Sequence, residues 1–247
     1  GQPNAMGGRE MGYLGWRNGW LEPAFWDING KVAGHTESKM LGAENVPARV
    51  KLYASTGEVK DVGARVDECE RRLAEGFTAS KLRVHDFDEG VDVKHVVDVA
   101  KAVGAKMTIA VDANQAWRVA AIADAPTWDL ARAKRFADAC ADVGVAWIEE
   151  PLRRWDAAGH ARLSGAVRAA VATGENLTGI DQFRPLFEAG APDIVQAGAI
   201  WGVSHLLRLS HAAAARDLPV SPVGYNTNPA VAHVMTAVPN HLTTEVQ

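Results

Sequence analysis

Short apolar runs alternate with amphipathic stretches from about residue 48 onward. Arg49–Ala54 is the first run, too short for a helix and of strand character. Ala64–Glu75 follows, with Val66, Cys69 and Leu73 at helical spacing and Gly76 placed to end the helix. The strand Ala79–Val84 and the helix Val91–Val103, closed by Gly104, repeat the unit. Further strands are predicted at Lys106–Asp112, Val145–Glu149, Val171–Gly174, Asp193–Ala197, Pro219–Pro222 and His241–Val246. Helices such as Leu130–Asp142 and Ser204–Arg216 fill the gaps.

Mid-strand markers Leu52, Leu82, Ile109, Trp147, Val171, Val195, Val220 and Thr244 recur at intervals of 24 to 38 residues. Eight such strands, each followed by a helix, predict an α/β fold of the (β/α)8 TIM-like barrel type. The competing open sheet would carry a glycine fingerprint after its first strand, and Ala54-Ser55-Thr56-Gly57 is not one. Residues 47–247 are therefore expected to form the barrel, without its last helix. Residues 1–46, with a helix-like stretch at Leu21–Ala33, are expected to be the remnant of a preceding domain and its linker, so that the sequence is one piece of a longer polypeptide.

In such a barrel the carboxyl ends of the strands converge on one face, which hosts the chemistry. Those ends carry Lys81 and Arg83, then Asp112 with Asn114, then Glu149 with Glu150, then Glu175 with Asn176. Three consecutive strands each supply a carboxylate. Hard oxygen donors without His or Cys suit Mg²⁺ rather than zinc, and clustered like charges repel unless a cation sits among them. Lys81 and Arg83 are one residue apart, so both point to the same side of their strand. They either pair with the carboxylates without chemistry, or one binds a substrate carboxylate while the other moves a proton. Lysine is the better proton carrier of the two, which leaves Arg83 as an electrostatic clamp. His85, just past Arg83, and Asn114 are expected to contact substrate. Tyr225, past the seventh strand, is a candidate acid for a departing hydroxide.

Charge and composition narrow the class further. The 247 residues carry 26 Lys+Arg against 30 Asp+Glu, a net charge of -4, which argues against nucleic acid as the partner. No apolar run approaches the roughly 20 residues that span a bilayer, so no membrane partner is expected. Two cysteines, Cys69 and Cys140, cannot build a disulfide scaffold, which suggests a reducing, cytoplasmic setting.

The segments Ser80-Lys81-Leu82-Arg83-Val84, Val111-Asp112-Ala113-Asn114-Gln115, Trp147-Ile148-Glu149-Glu150-Pro151 and Thr173-Gly174-Glu175-Asn176 resemble the enolase superfamily, in its mandelate racemase-like subgroup. Leu21–Lys31 is similar to the stretch that leads from that family's N-terminal α+β capping domain, largely absent here, into the barrel. The resemblance implies that Asp112, Glu149 and Glu175 are Mg²⁺ ligands, that Lys81 and Arg83 stand where the family carries its Lys-x-Lys pair, and that Glu245 bonds the substrate carboxylate as it becomes an enediolate. It implies proton abstraction α to a carboxylate, a small carboxylate substrate, and a homo-oligomer.

Two departures select among the family's reactions. Gly198 stands where the pattern places an Asp or Lys, and Val223 where it places a His. Racemisation needs groups on both faces of one carbon, whereas a syn elimination of water can run from one. The reading favoured is a Mg²⁺-dependent hydro-lyase, a dehydratase of a sugar acid. The alternatives are a racemase, epimerase or cycloisomerase of the same superfamily, or an inactive metal-binding homologue.

Overall fold

The computed structural model describes residues 19–45, 49–117, 126–198, 201–224 and 230–247. The chain divides into two compact units. One comprises residues 53–173 and 185–193 with Gln247, the other residues up to 52 with 174–184 and 194–246.

The first of these is built on parallel strands. In chain order come β1 (Leu52–Ser55), α3 (Val62–Ala74), β2 (Ala79–Arg83), α4 (Glu89–Val103), β3 (Thr108–Asp112), α5 (Leu130–Asp142), β4 (Trp147–Glu149), α6 (Ala157–Ser164) and β5 (Ala170–Thr173), after two helices of the other unit, α1 (Glu22–Ala33) and α2 (Glu37–Met40). Each strand pairs in parallel with the next, β1 with β2 through to β4 with β5. Each of the four helices starts at an aspartate. Asp61, Asp88, Asp129 and Asp156 accept backbone N–H bonds from Ala64, Gly90, Arg132 and Gly159 respectively, satisfying donors that the first turn leaves without a partner. These caps explain why α3 and α4 begin two residues earlier than apolar spacing alone predicts.

The inner faces of these helices meet the sheet in one apolar core, which includes Cys69, Leu82, Val96, Val99, Ile109, Val111, Phe136, Cys140, Ile148 and Val171. Trp128 packs at 4.8 Å from Phe136 within it. Both cysteines are buried and unbridged. Arg132, on α5, latches the loop between β2 and α4, with its guanidinium 2.8 Å from the Asp92 carboxylate and donating to the Asp86 carbonyl.

The other unit contains α1 (Glu22–Ala33), α2 (Glu37–Met40), β6 (Ile194–Val195), α8 (Val203–Ala214), α9 (Val231–Ala237) and β7 (Thr244–Val246). The helix α7 (Ile180–Ala189) lies between β5 and β6 in the chain. The strand expected at Pro219–Pro222 is present as parallel bridges, Val195 with Val220, Val220 with His241 and Gly198 with Val223. Its two prolines have no N–H to give a ladder. Polar ties join the helices: Ser38 on α2 shares a hydrogen bond of 2.8 Å with His233 on α9, and Glu22 on α1 accepts from Ser204 at the start of α8. Among the described residues no helix is long and apolar enough to cross a membrane.

Candidate active site

Strand register brings the charged residues together. Arg83 is paired with Asp112 across β2 and β3, and Asp112 with Glu149 across β3 and β4, so the two carboxylates stand at the same level on neighbouring strands. Lys81 and Arg83 share the side expected from strand alternation. Lys81 Nζ donates to Glu149 Oε2 at 2.7 Å and lies 3.7 Å from Asp112 Oδ2. Arg83 Nη2 lies 3.6 Å from the same Asp112 oxygen. Lys81, Asp112 and Glu149 are buried, at 2%, 1% and 0% exposure. A buried charge is tolerated when paired, and here two cations meet two carboxylates. The ammonium also lies 5.5 Å from the ring centre of Tyr53, whose edge meets Trp147.

The loops that follow the strands are wound tightly. Asn114 has φ 47° and Glu150 φ 47°, both left-handed. This bend returns Asn114 onto Asp112: its backbone N–H donates to Oδ1 at 2.8 Å, and its side-chain amide donates to Oδ2 at 2.9 Å. Asn114, expected from the sequence to contact substrate, bonds Asp112 through both its backbone and its side chain. The Asp-x-Asn spacing, an Asx-turn pattern, is the signal that could have shown it. Gln115 ties the same loop down, accepting from the Trp128 N–H and donating to the Ala113 carbonyl. His85 is buried beside this cluster. Burial pushes its imidazole down to about 4, against the pull of Asp112 and with the Arg83 charge adding to the push.

Glu175 and Glu245 belong to the other compact unit. Glu175 follows Gly174, and its carbonyl accepts the Trp201 indole N–H at 3.2 Å. Glu245, on β7, is buried and its carboxylate accepts the Gly224 N–H at 3.2 Å. Gly198 and Val223, the two departures from the family pattern, are bridge partners. Tyr225 lies outside the described residues. Spacing along the sequence does not single out Trp201. Its one local signal is the glycine three positions earlier, where a Cβ would meet the indole.

Among the described residues no three His, Cys, Asp or Glu side chains are gathered closely enough to hold a metal ion as they stand. The cation between Asp112 and Glu149 is the Lys81 ammonium. The donor set nevertheless fits magnesium in kind: two buried carboxylates, level with each other on adjacent strands, offering only oxygen.

Parallel strands alternating with helices, with acidic and cationic groups at the carboxyl ends of β2, β3 and β4, define an α/β-barrel protein with a polar site at its strand ends. The chain belongs to the Enolase C-terminal domain-like family, which matches residues 64–247. It is 29% identical over 208 residues to L-talarate/galactarate dehydratase of Salmonella typhimurium, covering 82% of this chain and 48% of that protein. It is 28% identical over 217 residues to D-galactarolactone cycloisomerase of Agrobacterium fabrum, covering 86% of this chain and 54% of that one. The solved L-talarate dehydratase from Polaromonas sp. JS666, complexed with Mg and L-glucarate, matches with a TM-score of 0.82 and 26% identity, over 94% of this chain and 60% of that one. The chain spans about half the length of the curated relatives it matches. The superfamily resemblance and the enolase-type barrel fold expected from the sequence both hold.

Proposed function

We propose that this chain forms the barrel part of a magnesium-dependent lyase that removes the proton α to a carboxylate and dehydrates a sugar acid. The observation that carries the reading is the buried ammonium of Lys81, held 2.7 Å from Glu149 beside Asp112 at the ends of three adjacent strands. The likeness to L-talarate/galactarate dehydratase supports the substrate class.

Asp112, Glu149 and Glu175 would hold the metal. Bound there, magnesium supplies positive charge against the charge that develops on the substrate carboxylate. Lys81 Nζ takes the α-proton, which requires its neutral form. Arg83 stabilises the enediolate by its guanidinium charge. Glu245 bonds a substrate carboxylate oxygen. Proton removal and loss of hydroxide then proceed from one face of the substrate, because Gly198 and Val223 carry no group that moves a proton.

Incubation of the protein with Mg²⁺ and a panel of sugar acids tests the reading. A 2-keto product from at least one member is expected, with solvent deuterium entering the α-position of unreacted acid. No product and no exchange from any member rejects it.

A further inference from the structure

The space beside Gly198, where the family pattern places an acid–base side chain, is already filled. A Cβ built at 198 would fall 2.7 Å from Trp201 Nε1, 2.9 Å from Trp201 Cδ1 and 2.6 Å from the Glu175 carbonyl oxygen. Such approaches force neighbours to move. Val223, the bridge partner of Gly198, is buried at 2% exposure and adds only methyl groups. The indole that closes position 198 also donates its N–H to the Glu175 carbonyl. One ring thus performs two tasks.

The backbone that carries the ring is itself held from behind. A Cβ at Gly19 would lie 2.5 Å from the Trp201 carbonyl oxygen, so the turn that precedes α1 rests directly on the Trp201 backbone. Gly202, at φ 105°, turns the chain from Trp201 into α8. Both oxygens of Glu22 accept the Ser204 N–H at 3.1 Å, and the Ser204 hydroxyl also donates to Glu22. This carboxylate satisfies the open N-terminus of α8 from outside the helix. On the other side of Glu175, Gly174 has φ 125°, and a Cβ there would meet Phe183 at 2.5 Å and the Gln196 carbonyl at 2.8 Å. The backbone that carries Glu175 is gripped on both flanks.

We propose that Trp201 is a positioning residue for Glu175, and that the same ring bars a second acid–base group from position 198. The inference rests on the reading of Glu175 as a magnesium ligand. It gives the one-faced chemistry a physical cause: the second group is excluded by an occupied volume, beyond the mere absence of a side chain. An oriented supporting bond behind a metal ligand matters to affinity on the scale of about tenfold or more.

Trp201→Phe tests it, because the variant keeps a ring in place and loses the donor. Thermal midpoints without metal should stay near wild type, while Mg²⁺ binding by titration calorimetry weakens about tenfold. In turnover the loss should appear in kcat at fixed Mg²⁺, more than in KM for the acid. Wild-type Mg²⁺ affinity in Trp201→Phe overturns the proposal. Gly198→Ala should also weaken Mg²⁺, since its Cβ displaces the ring that holds Glu175, and an unchanged affinity there counts equally against it. The indole is read independently by NMR of ¹⁵N-tryptophan protein without metal. A Trp201 N–H protected from solvent exchange is expected, and one exchanging at the free rate overturns the positioning. If wild type binds no Mg²⁺ while that N–H is protected, the lyase reading falls and the hold of Trp201 on Glu175 stands.

Discussion

Lys81 Nζ and Glu149 Oε2 meet at 2.7 Å with both side chains almost wholly out of water, 68 residues apart in the chain. Bringing two such charges inside costs several kcal/mol each, and their attraction repays this only with good geometry and further partners. Those partners are present: Asp112 lies 3.7 Å from the same ammonium and 3.6 Å from Arg83. The arrangement is therefore weak support for stability as such. It makes sense as a prearranged polar centre whose members are individually costly to remove.

Removing one member leaves the others uncompensated. Lys81→Met should destabilise the fold by about 3–5 kcal/mol, because Glu149 and Asp112 lose their buried cation. Lys81→Met combined with Glu149→Gln should recover part of that loss. Urea unfolding of both single variants and the double variant measures the coupling. Strictly additive losses would show that the contact contributes nothing.

Magnesium should raise the thermal midpoint of the wild-type protein, since a ligand that binds the folded state stabilises it by about 2.7 kcal/mol at a hundredfold excess over its Kd. Asp112→Asn and Glu149→Gln should each abolish most of that shift. Calcium should serve less well, since it prefers more ligands at longer distances. Differential scanning calorimetry without magnesium and with magnesium at about a hundredfold over its Kd reads the effect. A midpoint indifferent to magnesium in wild type contradicts the ligand assignment.

Stability should fall on acidification between about pH 6.5 and pH 4. Burial pushes His205 and His241 down to about 4, and pushes His160 down as well. An unfolded histidine titrates near 6.5. Across this window His205 and His241 are protonated in the unfolded chain and neutral in the fold, and His160 shifts in the same direction. The unfolded state therefore binds more protons, and acid favours it. Asp92 opposes the trend: burial, its largest cause, raises it to about 6, so the folded state takes up a proton there before the unfolded one does near 3.9. The downward histidine shifts, with His85 and His95 in the same direction, outweigh the upward carboxyl shifts of Asp92 and Glu37. Urea midpoints at pH 7, 5.5 and 4.5 should decrease in that order, and a flat or rising series would contradict the assignment.

The sequence carried the strand–helix repeat well, because a period of 3.6 against a period of 2 is written into local residue order. The helix Leu130–Asp142 begins and ends where its pattern predicts, and β2 differs from its expected range only at one end. The seventh strand was less legible, since Pro219 and Pro222 suit an apolar run yet cannot pair as a ladder. In the site, the alternation of Lys81 and Arg83 and the placement of Asp112 and Glu149 at strand ends followed from residue types alone. The partners did not. That Lys81 binds Glu149, that Asn114 turns back onto Asp112, and that Trp201 fills the room beside Gly198 all depend on register and loop winding, which spacing does not encode.

Asn114 offers a direct check on that loop winding. Its side chain contributes a hydrogen bond to the Asp112 carboxylate, worth about 1.5–3 kcal/mol because the acceptor is charged. Its backbone sits at φ 47°, a conformation that costs a residue with a Cβ roughly 1–2 kcal/mol and glycine almost nothing. Asn114→Ala should lose the bond and keep the backbone cost, while Asn114→Gly loses the same bond and sheds the cost. The glycine variant should therefore be the more stable of the two by about 1 kcal/mol, with both equally weakened in Mg²⁺ binding, because Asp112 Oδ2 loses the same side-chain donor in each. Chemical denaturation gives the first comparison and calorimetric titration the second. An alanine variant as stable as the glycine variant would show that the left-handed turn relaxes when the amide is gone, and that Asn114 holds the loop rather than the loop holding Asn114.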